Sequence, residues 1–216
     1  MNPSPLRYPG GKHKLYKYVS RLIKENGCTT YIEPFCGGAA VALDLLFNGL
    51  VNRIILNDYD FTIFCFWESV LYRTDEFIQL VANTEVTIHE WHRQKAIRDN
   101  LSNHSNLEIG FSTFFLNRTN RSGIIDKAGP IGGLEQTGEY LIDCRFNKSD
   151  LIERIKRIKK YSDRIIALNK GEKIFDDKAE KLTEKIEKFG ETSKITSKFK
   201  AKQLAIFAFL LDIGYF

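Results

Sequence analysis

The chain has 216 residues, is 43% apolar and carries a net charge of +5, enough to bury one sizeable core with a smaller satellite. No apolar run reaches bilayer length, Met1 is not followed by the apolar core of a secretion signal, and the four cysteines (Cys28, Cys36, Cys65, Cys144) form neither a CxxC pair nor a Cys/His ligand set; a cytoplasmic protein with reduced thiols and no metal centre is expected. The charge is uneven, with 17 Lys and Arg against 10 Asp and Glu in residues 148–202 and 15 against 17 elsewhere, which suits a nucleic acid but also a solvated Lys-rich surface.

Residues 6–13 read as a loop, and helical spacing follows through Leu15, Val19, Leu22 and Ile23 to about Gly27. A strand is expected at 30–35, a helix at 39–48 closed by Asn48-Gly49, and a second strand at 53–57. Strands and helices alternating at this spacing indicate a parallel sheet. From Phe61 the character becomes helical, through Phe64, Trp67, Leu71, Phe77, Leu80, Val81, Trp91, Ile97 and Phe111–Leu116. Residues 117–146 lose periodicity and are rich in Gly, Asn, Arg and Thr, as expected of a functional loop or hairpin. Helical spacing returns at Leu151, Ile155 and Ile158, and a third strand is expected at Arg164–Leu168. Residues 176–203 are Lys/Glu-rich, an exposed helix or mobile insertion, and an apolar run at 204–211 leads to Asp212-Ile213-Gly214-Tyr215-Phe216.

Three features point to a nucleoside-type ligand. Glu33-Pro34-Phe35-Cys36-Gly37-Gly38 sits at a strand-to-helix turn, where glycines permit close backbone approach at a helix N-terminus. Asp58, at the end of the next strand, can accept from ribose hydroxyls or cap the following helix. Lys12, after Pro9-Gly10-Gly11, can meet a carboxylate or phosphate. In the aperiodic region, Arg118, Arg121 and Arg145 offer planar forks suited to guanine edges and phosphates, and Asn117 and Asn120 suit adenine edges; an ordinary polar surface loop is the competing reading. The four histidines make no base or metal arrangement.

The segments Arg7-Tyr-Pro-Gly-Gly-Lys12, Tyr31-Ile-Glu-Pro-Phe-Cys-Gly-Gly38, Leu56-Asn-Asp58, Phe114–Gly123 and Asp143-Cys-Arg-Phe-Asn147 together resemble the Dam-type adenine-specific DNA methyltransferases, in order, from about Leu6 to Leu168. The resemblance implies an α/β fold: a Rossmann-like S-adenosylmethionine-dependent methyltransferase sheet over 1–61 and 147–216, with a mainly helical target-recognition insertion over 62–146. It implies site-specific transfer of a methyl group from S-adenosylmethionine to the exocyclic amine of adenine in double-stranded DNA. By the same resemblance, Tyr8 and Lys12 flank the cofactor, Glu33 and Gly37 line its methionine end and Asp58 holds its ribose. A cognate restriction endonuclease is compatible with such an activity.

The far end departs from the family. An acid-Pro-Pro-aromatic motif is expected after the fourth strand, and the nearest candidate is Asp212-Ile213-Gly214-Tyr215, which keeps the acid and the ring but neither proline. Asp212 and Tyr215 are the expected catalytic pair, Asp212 also touching the cofactor. Two prolines fix a turn that Gly214 leaves flexible. With the sequence ending at Phe216, the C-terminal strands of such a sheet are missing; truncation is the favoured explanation, and a split enzyme completed by a second chain is the other. The alternative function is therefore a catalytically inactive remnant that binds DNA, S-adenosylmethionine or both. A dinucleotide-binding oxidoreductase is disfavoured by the lack of GxGxxG.

Overall fold

The computed structural model describes residues 2–7 and 12–170. Tyr8, the Pro9-Gly10-Gly11 turn, the 176–203 and 204–211 segments, Asp212 and Tyr215 lie outside those residues. The chain divides into two compact units: residues 12–60 with 164–170, and residues 2–7 with 61–163.

The first unit is α/β. A short 3-10 turn (Lys12–Leu15) leads into α1 (Tyr16–Asn26), followed by β1 (Thr30–Glu33), α2 (Ala40–Phe47) and β2 (Arg53–Asp58), and β3 (Ile165–Asn169) completes it. The three strands form a parallel sheet in the order β1-β2-β3, with Ile32 opposite Ile55 and Ile55 opposite Ile166. The central strand explains the apolar run in the sequence: Ile54, Ile55 and Leu56 are all buried, as residues between two neighbours and two covered faces must be. Helix α2 is buried along nearly its whole length, whereas α1 buries one stripe through Val19 and Ile23 and turns Lys17, Arg21 and Lys24 outward. β1 is shorter than the sequence indicates because Pro34 has no N–H to continue a ladder. Arg164 fastens the start of β3 by donating to the carbonyls of Asn52 (2.6 Å) and Val51 (3.0 Å).

The second unit is helical: α3 (Phe61–Tyr72), α4 (Thr74–Asn83), α5 (Ile88–Asp99), α6 (Asn106–Thr119) and α7 (Lys148–Lys159). Its centre is an aromatic cluster in which Phe114 meets Phe66 (6.0 Å, stacked), Phe77 (5.4 Å, edge-on) and Phe146 (5.4 Å, edge-on). Helix starts follow ordinary capping chemistry. Ser105 and Glu108 form a reciprocal capping box on α6, Thr87 caps α5, and Asn147 caps α7.

Two boundaries differ from the sequence reading. Helix α6 continues through Asn117 and Arg118 to Thr119 rather than ending at Leu116, because it is buried all round and so shows no polar face. Helix α7 and residues 2–7 belong to the helical unit, not to the sheet. Leu151, Ile155 and Ile158 of α7 are buried, Lys148 donates to the Ala82 carbonyl (2.8 Å), and Lys159 pairs with Asp75 (2.7 Å). Arg154 ties the N-terminal segment to α7 through the Asn2 and Ser4 carbonyls. Among the described residues no helix is long and apolar enough to cross a membrane, and no group of three His, Cys, Asp or Glu is placed to hold a metal.

Candidate functional site

The turn from β1 to α2 is built onto the carboxyl end of β2. Pro34 breaks the strand, and Asn57 donates through Nδ2 to the Pro34 carbonyl (2.8 Å). The Cys36 N–H donates to the Asn57 carbonyl (2.9 Å), and the Ala39 N–H returns to the Cys36 carbonyl (2.6 Å). Gly37 has φ of +44° and Ala39 φ of +49°. Glycine adopts the left-handed region freely, while Ala39 pays roughly 1 kcal/mol for it, strain that the surrounding bonds hold in place.

Asp58 braces this turn. Its Oδ2 accepts from the Gly37 N–H (2.8 Å) and the Cys36 thiol (3.8 Å), and its Oδ1 accepts from the Asp60 N–H (3.1 Å). A carboxylate offers about four accepting positions, so one on Oδ1 is left for a ligand hydroxyl. Glu33, at the end of β1, is 2% exposed. Its Oε1 accepts from Lys12 Nζ (3.2 Å), which also donates to the Phe35 carbonyl (2.7 Å). Glu33 Oε2 is buried and has no hydrogen-bond partner among the described residues. Lys12 has three donors, and these two contacts use two of them.

Burial raises the pKa of Glu33; the Lys12 ammonium and then the Ala42 amide pull it back, and Asp58 pushes it further up. Burial likewise raises Asp58, against the Gly37 and Asp60 amides. Two buried carboxylates stand beside a helix N-terminus, one with an oxygen that no hydrogen bond reaches, and a ligand bringing a cation and hydroxyls has the chemistry to satisfy them.

Two aromatic rings at the same carboxyl edge escaped the sequence reading: Phe35 is 51% exposed and Tyr59 68% exposed. Lys170 Nζ lies 4.9 Å from the centre of the Tyr59 ring, and the Lys170 N–H donates to the Asp58 carbonyl (3.1 Å). Their position directly after Pro34 and Asp58 was the available signal, since ligands bind outside the carboxyl ends of parallel strands.

In the helical unit the expected DNA-contact residues separate into two groups. Arg121 and Arg145 are exposed. Asn117 and Asn120 are buried, and their amides are engaged internally. Asn117 accepts from the Arg7 N–H (2.7 Å) and donates to the carbonyls of Arg7 and Gly123 (both 2.8 Å). Asn120 accepts from Trp91 Nε1 (2.7 Å) and donates to the carbonyls of Ile124 (2.8 Å) and Ile125 (3.0 Å). These two side chains hold the backbone around the loop. Arg118 is only 8% exposed.

The loop beyond α6 is shaped by Gln136, which donates to the Ile131 carbonyl (2.8 Å) and accepts from the Ile142 N–H (2.9 Å). It borders a shallow, open groove of about 510 Å³ lined by Arg121, Ile131, Leu134 and Tyr140 among others. Leu134, Tyr140 and Leu141 are exposed, giving a cation amid apolar and aromatic surface. Arg98 secures the start of this loop through both oxygens of Asp126 (3.0 and 2.9 Å).

Comparison with known proteins agrees with the resemblance. The family profile described as D12 class N6 adenine-specific DNA methyltransferase matches residues 8–183. A curated relative, the modification methylase StsI of Streptococcus sanguinis, is 32% identical over 96 residues. That match covers 44% of this chain and 14% of the relative, so it speaks for a shared segment rather than for the whole relative's activity.

Proposed function

Because this chain belongs to the D12 class N6 adenine-specific DNA methyltransferases, we propose that it transfers a methyl group from S-adenosylmethionine to the exocyclic amine of adenine in duplex DNA. The observation that carries the cofactor assignment is the braced turn with the orphaned Glu33 oxygen. Glu33 Oε2 would accept from the ammonium of the methionine end, Lys12 would use its remaining donor on the carboxylate, and Oδ1 of Asp58 would take a ribose hydroxyl. Tyr8 joins them as a proposed flank. The cofactor, when bound, supplies an electrophilic methyl group on sulfur. Tyr59 offers an exposed ring for the nucleobase to lie against.

Within this reading the three parallel strands are part of a Rossmann-like sheet and the helical unit is the target-recognition insertion. Arg121 and Arg145, with the Leu134 and Tyr140 surface, are the proposed groove contacts. Asp212 and Tyr215 are the proposed catalytic pair: an acidic oxygen accepts from the adenine amine and directs its lone pair, while the ring stacks on the flipped base. A cytoplasmic location and a cognate restriction endonuclease as partner are proposed along with this activity. The missing prolines in Asp212-Ile-Gly-Tyr215 favour a second reading, a remnant that binds without turnover.

Incubation with methyl-labelled S-adenosylmethionine and adenine-containing duplex DNA decides between them. Label on adenine N6 is the expected result; heat of cofactor binding in calorimetry without label establishes the remnant. A folded protein giving no heat with either the cofactor or its demethylated product would sink the cofactor assignment.

The raised pKa of Glu33 also fixes a pH dependence. A carboxyl whose folded pKa exceeds its unfolded value contributes stability below the unfolded pKa, and that contribution is lost as pH rises through the folded value. Glu33→Gln should therefore leave the melting temperature at neutral pH unchanged or higher. A hydrogen bond to a charged group contributes about 1.5–3 kcal/mol, so the same change should weaken cofactor binding roughly ten- to hundredfold. Binding to the native protein should weaken as acid protonates Glu33, and that pH dependence should disappear in the variant. Titration calorimetry across pH measures both.

A further inference from the structure

We propose that His13 and Asp44 are positioning residues for the methionine end of the cofactor, a role that rests on the cofactor reading proposed above: their hydrogen bond holds Lys12 where its remaining donor meets the ligand carboxylate. Asp44 is the one charged residue of α2, and its neighbours Leu43, Leu45 and Leu46 are buried. It opens the last turn of that helix, where the dipole opposes a negative charge, and its side chain is only 18% exposed. An acid in such a place needs a partner. His13 supplies it, with Nε2 at 2.7 Å from Asp44 Oδ2. An ionised carboxylate can only accept, so Nε2 carries the proton and donates, which the neutral ring and the charged ring can both do.

A second bond repeats the pattern one turn further along. Asn48 donates through Nδ2 to the Tyr16 hydroxyl (2.9 Å). Positions 13 and 16 share a face at 3-10 spacing, and positions 44 and 48 share a face of an α-helix, so the two bonds are successive rungs between the same stripes. Lys12 and His13 divide their contacts around the β1–α2 turn. Lys12 Nζ reaches the Glu33 carboxylate (3.2 Å) and the Phe35 carbonyl (2.7 Å) at the start of the turn, and His13 holds the helix that follows it. Asp58 holds the middle through the Gly37 N–H. A lysine ammonium sits on a long flexible stem, and its position is set by its own backbone and by its partners. Pinning the next residue to α2 leaves less freedom to lose when the third donor engages a carboxylate, which is preorganisation. Asp58 thus serves the nucleoside end of the ligand, and the His13–Asp44 bond serves the methionine end through Lys12.

Calorimetry of the full chain with S-adenosylmethionine, and with adenosine in competition, tests this division. His13→Ala should weaken S-adenosylmethionine binding roughly five- to tenfold and leave adenosine within about twofold of its native affinity, since adenosine has no carboxylate for Lys12. Asp44→Ala should have the same effect and the double variant no larger one, because either change removes the whole bond. His13→Gln should recover most of the affinity, its amide nitrogen standing where Nε2 stood. His13→Asn, which is too short to reach Asp44, should bind like the alanine variant. Unchanged S-adenosylmethionine affinity in His13→Ala, equal loss for the two ligands, or His13→Gln no better than His13→Asn each overturns the positioning role. Native protein that gives no heat with S-adenosylmethionine, or in which adenosine does not compete, overturns the cofactor reading itself, and His13 then has no ligand to position.

Discussion

Replacing Asp58 with alanine should abolish S-adenosylmethionine binding, lowering affinity by at least about a hundredfold in calorimetry. The loss has two sources that act together. One is the ribose contact proposed for Oδ1. The other is the turn itself, because the carboxylate satisfies the Gly37 and Asp60 N–H groups and the Cys36 thiol. Each buried donor left without a partner costs about 1–3 kcal/mol, and the Gly37–Ala39 backbone, held at positive φ, relaxes once its brace is gone. Asp58→Asn should lie between the native protein and alanine, since one oxygen remains but the new amide donor confronts an N–H. Asp212→Asn should leave cofactor binding largely intact while removing turnover. Equal loss of binding in Asp58→Ala and Asp212→Asn would show that Asp212 does not act on the target base, and undiminished affinity in Asp58→Ala would remove the nucleoside pocket from the β1–α2 turn.

The sheet and its turn were legible because their physics is local. Apolar runs at 31–32 and 54–56 mark buried parallel strands, Pro34 ends one, and a Gly pair opens the next helix. What could not be read was how Asp58 is used. Its side chain faces the turn it follows by some twenty residues, so a ligand role and a bracing role give the same sequence signal. The helical unit shows the opposite difficulty. Asn117 and Asn120 follow an apolar stretch and precede a Gly-rich one, a context that marks a polar loop; in the fold they are interior groups satisfying the backbones of Arg7, Gly123, Ile124 and Ile125. Polar residues enter a core when backbone groups there lack partners, and that need depends on tertiary placement. Arg154 was similarly concealed within a charge-rich helix, where most of its neighbours are indeed solvated.

Gly110→Ala should destabilise the helical unit by about 2 kcal/mol or more, although alanine is the better helix former. A Cβ at this position would stand 2.5 Å from the Cys65 carbonyl oxygen, 2.8 Å from its carbon and 2.9 Å from Ser69 Oγ. The first two are backbone atoms of α3, so no side-chain rotation relieves the contact, and the Ser69 hydroxyl is itself held by the Cys65 carbonyl at 2.7 Å. Relief requires α6 and α3 to move apart, which opens the stack of Phe66 on Phe114 and the edge contacts around it. Overpacking of this kind costs about 1–3 kcal/mol and more where backbone must yield, against a propensity gain of about 1 kcal/mol. Gly129→Ala is the matched control, since a Cβ there meets nothing within 4 Å, and it should be close to neutral. Chemical denaturation of the two variants measures the difference. Because α6 also carries Asn117, a shift of this helix displaces the hold of that side chain on the backbones of Arg7 and Gly123, so Gly110→Ala should weaken duplex DNA binding without touching an exposed residue. Equal stability of Gly110→Ala and Gly129→Ala would mean that α3 and α6 do not approach through this glycine.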